Sequence, residues 1–589
     1  MTGHAATRGV ISPPNPSMGS GSVPKKYVTR ACDACKKRKS KCDGLEPCAR
    51  CTKSRIECAY RTLYNRGSWR HLRRKLPVQP SSTAATTADL TLPAEGNLTL
   101  SHPAEPTVEG VEESTENENA VISAGDASVH NFLHKVSEHL TLIGQALPRT
   151  LLRWEEEILN TVGDRSTFVF PPRDTAREYL NCYFEHANVT YRYLLRTETF
   201  AILDRVYDDD EAVFEHPATI AILLFAMGVG CIWLASRHSR PLTKQKLKSN
   251  HLLQAGQTWL DKTLGKFPPT LDMIKATVLK CQLECAASRH NSAWMTLGMA
   301  VRLGQIIGIE REVASTGPSE QFSRKGVFWA MYMLDRYLSV SLGRPMALRD
   351  EDITIACPTD LDPETITLLG PQETKVWLGV VAHARLTRII GYTITRLYPA
   401  SKHLSDDARD QAVTELERDL QEWENQTPSF FLPPEQEPLA GSQHDFYAIP
   451  WIFQRQQKTI TAAYHFTCIL MYRGDLLREF LHHEPGTPAP SQPSSARIRH
   501  CVNHAMAIAR IAANIADDST YNGVYWTTSH FVFCAISVLL VYLALYHAAE
   551  DRGAIEEMVE KAMKGHRKLD SSYNFRTQRL LEAGPPLPP

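Results

Sequence analysis

The sequence lacks the short motifs that identify several large enzyme classes. It contains no glycine-rich loop followed by lysine for binding phosphates, no Gly-x-Ser-x-Gly turn and no His-Glu-x-x-His helix. Each motif places a nucleophile, a phosphate cradle or a metal in a defined local structure, so its absence counts against the corresponding chemistry. We therefore expect that the chain is not an enzyme. A catalytic set scattered along the sequence is the alternative that this reasoning leaves open.

The sequence also has no net charge and no long apolar segment near its N-terminus. Lysine and arginine together number 65, as do aspartate and glutamate. Residues 1–22 show no apolar core of a secretory signal, which predicts a reducing compartment. Two uncharged runs, residues 218–236 and 531–546, are marginal against the roughly 20 residues that a bilayer requires. We expect both runs to be buried helices and expect no membrane partner.

Positive charge is missing from residues 76–134 and concentrated before them. Residues 1–75 hold 18 Lys and Arg against 4 Asp and Glu, which leaves 47 against 61 for the rest of the chain. A basic N-terminal part of this kind fits a polyanionic partner.

Six cysteines lie close together in this basic part, separated by two, six, five, two and six residues. Cys-x-x-Cys steps bring two thiolates to one ion, and four sulfur ligands are typical of tetrahedral zinc. Two such ions need eight ligand positions, so six thiolates suffice only if two of them bridge, which implies a binuclear cluster. A disulfide framework would require an oxidising compartment. A cross-brace interaction module would require eight ligands.

The segment CDACKKRKSKCDGLEPCARCTKSRIEC closely resembles the fungal binuclear zinc cluster (Zn2Cys6) DNA-binding domain. The resemblance implies two Zn²⁺ ions and a zinc-held helix that enters the major groove of double-stranded DNA. It also implies the role of each cysteine. Cys32 and Cys48 would bridge the ions, while the first site would be completed by Cys35 and Cys42 and the second by Cys51 and Cys58.

The same resemblance places base contacts at the end of the first helix, usually to a CGG triplet. Lys39 is the first candidate and Arg38 the second, because both side chain types can donate to the O6 and N7 atoms of guanine. Other basic residues are expected to contact phosphates, with a solvated surface as the alternative: Lys36, Lys37, Lys41, Arg50, Lys53 and Arg55.

Composition divides the chain into a small cluster domain and a large all-α domain joined by a disordered linker. The linker is basic at first and then acidic and rich in Ser, Thr and Pro. The predicted ranges are a disordered N-terminus at 1–28, the cluster domain at 29–61, the linker at 62–127, the helical domain at 128–570 and a C-terminal tail at 571–589.

A short heptad pattern follows the linker, formed by Leu133, Val136, Leu140, Ile143 and Leu147. An amphipathic helix that packs on the following domain is favoured over a dimer zipper. Monomeric and homodimeric DNA binding therefore both stay open.

The large domain shows apolar residues at helical spacings and resembles the fungal-specific transcription factor domain, or middle homology region. The matching positions are Trp294, Gly298, Ala300, Arg302, Leu303, Gly308, Trp329, Asp335, Arg336, Ser339, Gly343, Arg344, Pro345, Asp352 and Pro358. Asp335, Arg336 and Arg344 predict a buried charge network that holds a helix to the next loop. An anion or effector pocket that uses Arg344 is the alternative.

These resemblances together imply a nuclear, sequence-specific transcription factor of RNA polymerase II genes. It would bind CGG-type promoter sites, contact the transcriptional machinery and activate a metabolic or secondary-metabolite gene cluster.

Overall fold

The fold is described here from a computed structural model of the chain. The structure describes residues 31–38, 40–43, 45, 47–59, 125–142, 168–237, 242–263, 265–312, 317–356, 363–399, 404–432, 451–483, 490, 492–514 and 526–567. They fall in two compact units, Met1–Glu113 and Ser114–Pro589. Within these ranges the regular secondary structure is helical and includes no strand, which confirms the predicted fold class. The predicted N-terminal disorder, the C-terminal tail and all but the last three linker residues lie outside the described ranges.

The first unit contains two short helices, α1 (Asp33–Lys37) and α2 (Ala49–Lys53). The second unit contains the remaining helices. They are α3 (Val129–Leu142), α4 (Arg173–Cys182), α5 (Arg196–Tyr207), α6 (Glu211–Phe214), α7 (Pro217–Arg237), α8 (Leu242–Asp261), α9 (Leu271–Ala286), α10 (His290–Ile306), α11 (Pro318–Leu342), α12 (Pro363–Leu397), α13 (Asp406–Gln426), α14 (Trp451–His482), α15 (Ala496–Asn514), α16 (Trp526–Leu545) and α17 (Arg552–His566).

Local sequence signals explain where several helices begin and end. Thr270 caps α9 by accepting a hydrogen bond from the N–H of Met273 at 3.3 Å. Ser288 has a φ of 59° and breaks the apolar periodicity between α9 and α10. α11 starts with proline after Gly317 and ends at Gly343, whose φ of 66° is the left-handed conformation common after a helix.

The two uncharged runs form α7 and α16, which lie in the core of the second unit. Both helices are long and apolar enough to cross a membrane. In the apolar part of each, 89% of α7 residues and 94% of α16 residues are buried by the protein itself. Core helices have this character because they are covered on all sides, so their burial favours the interpretation as buried helices.

The heptad pattern lies on α3, which packs against α14 and α16. Leu133, Val136 and Leu140 are at most 4% exposed and belong to the main hydrophobic core. The buried guanidinium of Arg473 on α14 donates a hydrogen bond to the carbonyl oxygen of Ala127, just before α3. This arrangement supports a helix docked on its own domain. Ile143 and Leu147 lie outside the described residues.

The predicted charge network is present around Asp335 and Arg336 on α11. The Asp335 carboxylate lies 3.0 Å from a guanidinium nitrogen of Arg336 and accepts from the backbone N–H groups of Ala347 and Leu348 at 2.9 and 3.1 Å. Arg336 also reaches the carboxylate of Asp350 at 3.0 Å. The helix is thus held to the loop that follows it.

The side chain of Arg344 also has partners on a neighbouring helix. Its guanidinium donates to the side chain of Asn291 and lies 4.6 Å from the ring centre of Trp294, both on α10. After Gly343 the chain turns out of α11, which carries the Arg344 side chain to the neighbouring helix. The side chain of Arg344 thus joins the end of α11 to α10.

Candidate metal centre and nucleic-acid surface

The first unit is built from two copies of one small motif. Cys32 precedes α1 and Cys48 precedes α2, both with extended backbone, and each acts as the N-cap of its helix. The sulfur of Cys32 accepts from the N–H of Cys35 at 3.4 Å, and the sulfur of Cys48 accepts from the N–H of Cys51 at 3.4 Å. The Cys-x-x-Cys spacing thus places both cysteines of each pair at one helix N-terminus.

The outer cysteines extend the same repeat. The N–H of Cys32 donates to the sulfur of Cys42 at 3.5 Å, and the N–H of Cys48 donates to the sulfur of Cys58 at 3.2 Å. Residues 32, 35 and 42 thereby correspond to residues 48, 51 and 58. A backbone hydrogen bond from Asp33 to the carbonyl of Ala59, 2.8 Å long, joins the two ends of the motif.

The six sulfur atoms form two groups of four that share two members. Cys32, Cys35, Cys42 and Cys48 make one group, and Cys32, Cys48, Cys51 and Cys58 make the other, with all ligand atoms of each group within 4.8 Å of one another. Tetrahedral zinc with Zn–S bonds of about 2.3 Å places its sulfur ligands roughly 3.8 Å apart. The Cys32–Cys48 and Cys35–Cys48 sulfur distances are 3.8 and 3.7 Å, so the residues fit such a site.

The protein environment affects the thiols of the two repeats in the same way. The backbone N–H of Cys35 holds the pKa of the Cys32 thiol below its ordinary value, and that of Cys51 does the same for Cys48. Burial raises the pKa of Cys35 to about 11. A bound dication supplies the charge that keeps all the coordinating sulfurs as thiolates.

Asp43 fixes the turn that leads into α2. Its carboxylate accepts from the N–H of Ala49 at 2.8 Å and from the N–H of Leu45 at 3.1 Å. These hydrogen bonds, that from Ala49 first, lower the pKa of Asp43. A carboxylate at the first turn of a helix also interacts favourably with the helix dipole.

The candidate DNA-contacting side chains that the structure describes all lie on the surface of the unit. Arg38 is exposed and forms the C-terminal cap of α1, with a φ of −88° and a ψ of 2°. The exposed phosphate-contact candidates are Lys36, Lys37, Lys41, Arg50, Lys53 and Arg55. Lys39, the first candidate for a base contact, lies outside the described residues.

Sequence reasoning missed the part played by the backbone in this unit. Four main-chain N–H groups, those of residues 32, 35, 48 and 51, donate to sulfur. The spacing of the cysteines could have revealed this pattern, because the intervals of two and six residues recur 16 residues further along the chain.

Fold and site together define a protein with a small cysteine-cluster unit that can hold metal and a separate large helical unit. Comparison with known families gives each unit a name. Residues 30–66 match the fungal Zn(2)-Cys(6) binuclear cluster domain, and residues 180–425 match the fungal specific transcription factor domain. The chain contains both domains, which confirms the two resemblances seen in its sequence.

Several curated proteins match the chain at low identity. The chain is 21% identical to Activator of stress genes 1 of Saccharomyces cerevisiae, over 90% of this chain and 63% of the relative. It is 22% identical to Transcriptional activator protein acu-15 of Neurospora crassa, over 94% of this chain and 62% of the relative. It is 23% identical to an ABC-transporter-regulating transcription factor of Aspergillus oryzae, over 48% of this chain and 31% of the relative. The chain thus spans under two thirds of these relatives' own lengths.

Proposed function

We propose that this chain is a nuclear transcription factor that binds promoter DNA of RNA polymerase II genes in a sequence-specific manner. The observation that carries the proposal is the pair of four-sulfur groups sharing Cys32 and Cys48, set beside exposed basic side chains. Both matched domains, and the printed names of the relatives, are those of transcriptional regulators, which are not enzymes.

The proposed cofactor is a pair of Zn²⁺ ions bridged by Cys32 and Cys48. Cys35 and Cys42 complete one site, and Cys51 and Cys58 complete the other. The composition of the groups and the sulfur distances near 3.8 Å support this assignment. The ions have a structural role, because the buried apolar residues in the described part of this unit are four cysteines, Cys32, Cys35, Cys48 and Cys51.

The proposed base contacts come from Lys39 and Arg38 to the guanines of a CGG triplet. Support comes from the exposure of Arg38 at the end of α1 and from the chemistry of guanine, whose O6 and N7 atoms accept hydrogen bonds from such side chains. The other basic residues of the unit contact phosphates and position α1 in the groove.

The proposed physiological role is the activation of a metabolic or secondary-metabolite gene cluster through the transcriptional machinery. Two relatives carry the word activator in their names, and a third is named for regulating a transporter. These names support positive regulation and leave the target genes to experiment.

Site selection from random duplex DNA tests the proposal. We would use the full chain at fixed salt, with and without zinc chelation, and a Cys48→Ser variant as a second way to remove the metal. Enrichment of CGG that is lost in both metal-free samples is the expected result. Paired triplets at one spacing would indicate a homodimer, and a lone triplet would indicate a monomer. Equal recovery of all sequences would refute the proposal.

A further inference from the structure

The helical unit contains a cavity of about 740 Å³ that no step of the proposed DNA binding uses. This volume lies within the usual range of small-molecule sites, roughly 300–1,000 Å³. Its walls come from the turn after α4, the start of α5, α11, the first part of α12 and the start of α14. Five separate parts of the chain therefore meet around one space.

Two local irregularities shape this cavity. The chain between α4 and α5 forms a π-helical turn, Tyr183–Ala187, which contributes Phe184 and Glu185 to the wall. α12 is broken at Gly370, with a φ of 74° and a ψ of 170°, and the residues on either side of the break, Leu369 and Glu373, also line the cavity. π-turns are frequent at functional sites because they widen a helix locally.

Arg192 places a buried positive charge in the wall. Its side chain is 6% exposed, and its guanidinium donates to the carbonyl oxygen of Phe184 at 3.2 Å and to the carboxylate of Glu373 at 3.3 Å. Its buried Nε–H has no hydrogen-bond partner. A guanidinium has five N–H donors, and a buried cation that leaves donors unmatched is costly. Burial accordingly lowers the pKa of Arg192, although the charge of Glu373 opposes this effect.

The backbone is built to hold Arg192 at this point. A Cβ atom on Gly326 of α11 would lie 2.5 Å from the carbonyl oxygen of Arg192, so only glycine allows α11 to approach the loop this closely. The side-chain amide of Gln456 on α14 donates to the carbonyl of Val189 at 3.0 Å and to that of Val376 at 2.7 Å. These contacts fix the loop between α11, α12 and α14.

The N-terminus of α5 faces the same space. Leu195, the N-cap residue, makes no side-chain capping hydrogen bond, and Leu195, Arg196 and Thr197 all line the cavity. The first N–H groups of a helix point outward and carry partial positive charge, which suits a negatively charged ligand group. Arg192 and this helix terminus thus supply two independent anion-binding features on one side.

The rest of the wall is largely apolar. It includes Phe184, Leu194, Phe322, Leu368, Leu369 and Ile452. The carboxylates in the wall already have cationic neighbours, because Glu185 lies 3.4 Å from Arg196 and Glu373 lies 3.3 Å from Arg192. A ligand with an ammonium group would therefore gain less binding free energy here than a ligand with a carboxylate.

We propose that this cavity binds an amphipathic carboxylic acid, with its carboxylate on Arg192 and the N-terminus of α5 and its apolar body against Phe322, Leu368 and Leu369. This inference goes beyond the proposed DNA binding and does not depend on it. The bound acid would lie between α5, α11 and α12, with its carboxylate next to the guanidinium of Arg192.

Calorimetric titration of the zinc-loaded full chain with sodium octanoate tests the proposal, with octanamide as the uncharged probe of the same shape. Octanoate is expected to bind with a Kd of about 1 mM or tighter, as suits so small a ligand. Octanamide should bind at least tenfold more weakly. Absence of octanoate binding, or equal binding of acid and amide, would overturn the proposal. The titration contains no DNA, so its result is independent of whether the chain reads DNA.

Matched variants locate the binding site. Leu368→Glu adds a negative charge to the apolar wall and should weaken octanoate binding at least tenfold, whereas Ile366→Glu alters an equally exposed residue that does not line the cavity and should leave it unchanged. Glu373→Gln removes the anion that competes for Arg192 and should tighten octanoate binding about threefold or more.

Arg192→Gln should abolish the preference for the acid over the amide. If this buried substitution prevents folding, the decision rests on Leu368→Glu and Glu373→Gln, whose side chains are 43% and 44% exposed. The proposal would be rejected if Leu368→Glu and Ile366→Glu changed octanoate binding equally, because octanoate would then bind outside this cavity. Weaker octanoate binding by Glu373→Gln would reject it for the same reason.

Discussion

Arginine side chains serve three different purposes in this chain, and their surroundings decide which. Arg38 is exposed at the end of α1, where a charged group can reach a ligand at no desolvation cost. Arg336 is fully buried and is matched by the carboxylates of Asp335 and Asp350. Arg192 is buried in the wall of the cavity, where it pairs with the half-exposed carboxylate of Glu373.

Base-contacting and phosphate-contacting residues should differ in how they affect DNA binding. Lys39→Ala and Arg38→Ala are expected to reduce the preference for the selected triplet by about 1–3 kcal/mol each. Lys53→Ala should weaken binding to all sequences and lower the salt slope by about one unit, because one phosphate contact releases about one counterion. Fluorescence anisotropy with cognate and random duplexes over a salt series measures both effects. Equal losses on both duplexes for all three variants would contradict this division.

The buried pair on α11 should be far more sensitive than a surface pair. Asp335→Ala leaves the Arg336 charge without its nearest partner and is expected to lower the free energy of unfolding by about 3–5 kcal/mol. Glu557→Ala, which breaks an exposed ion pair with Lys561 on α17, serves as the control and should have little effect on stability. Urea titration monitored by circular dichroism gives both values.

A double-mutant cycle separates the two helix contacts near the end of α11. Substitutions at 335 and 336 should couple strongly, whereas those at 335 and 344 should add independently, since Arg344 contacts Asn291 and Trp294. Strong coupling between 335 and 344 would restore the single network that the sequence suggested.

The role of a residue could be predicted from the sequence where the functional residues lie close together in the chain. It was predicted poorly where that role depends on contacts with distant parts of the chain. The six cysteines are recognisable because their spacing along the chain determines which of them can bind the same metal ion. The partner of Arg344 depends on where α10 lies, and no local pattern encodes this. Arg192 carries a weak signal, a single charge inside the apolar run from Val189 to Leu195, which the sequence reasoning did not single out.

At the level of elements, α3 shows how one pattern can serve two structures. Apolar residues at alternating spacings of three and four suit a coiled-coil partner as well as a groove on the same chain. The structure places Leu133 and Val136 in the core of the helical unit, held by the contact from Arg473 to Ala127.

Substitution within α3 should therefore change stability and leave association unchanged. Leu133→Ala removes a side chain that is 2% exposed and is expected to lower the free energy of unfolding by about 2–5 kcal/mol. Glu138→Ala, on the exposed face of the same helix, should have little effect. Denaturant unfolding and sedimentation velocity of both variants provide the measurements. A change in sedimentation with unaltered stability would favour the zipper.

Helix positions were predictable from periodicity, whereas the breaks between helices were less so. Ser288 adopts positive φ without being glycine, and Gly370 breaks a continuous apolar pattern in α12. The hydrogen bonds at these breaks are local: the N–H of Ser288 donates to the carbonyl of Cys285 at 3.0 Å, and the hydroxyl of Thr374 donates to the carbonyl of Gly370 at 2.8 Å.

At the scale of the whole molecule, the two units rely on different sources of stability. The helical unit buries a large apolar core that includes α7 and α16. Among the described residues of the small unit, the buried apolar residues are cysteines, so we expect metal coordination to replace a core there.

Chelation should consequently unfold one unit and spare the other. Treatment of the full chain with a strong chelator is expected to abolish DNA binding and expose residues 30–60 to protease, while the thermal unfolding of the helical unit stays unchanged. Limited proteolysis with mass spectrometry, together with calorimetry, measures both. Restoration of protection by added zinc is the control. Persistent protection of residues 30–60 without metal would contradict the structural role of the ions.

The repeat in the small unit has a consequence for how the molecule is oriented on its target. Residues 36–41 and 52–57 occupy equivalent places, and the caps Arg38 and Ser54 have nearly the same backbone angles, with φ of −88° and −89° and ψ of 2° and 0°. The first segment holds five basic residues, while the second holds two together with Glu57. The two halves of this repeat thus differ in side-chain charge, and we expect that moving those charges from one half to the other would reverse the direction in which the domain binds the double helix.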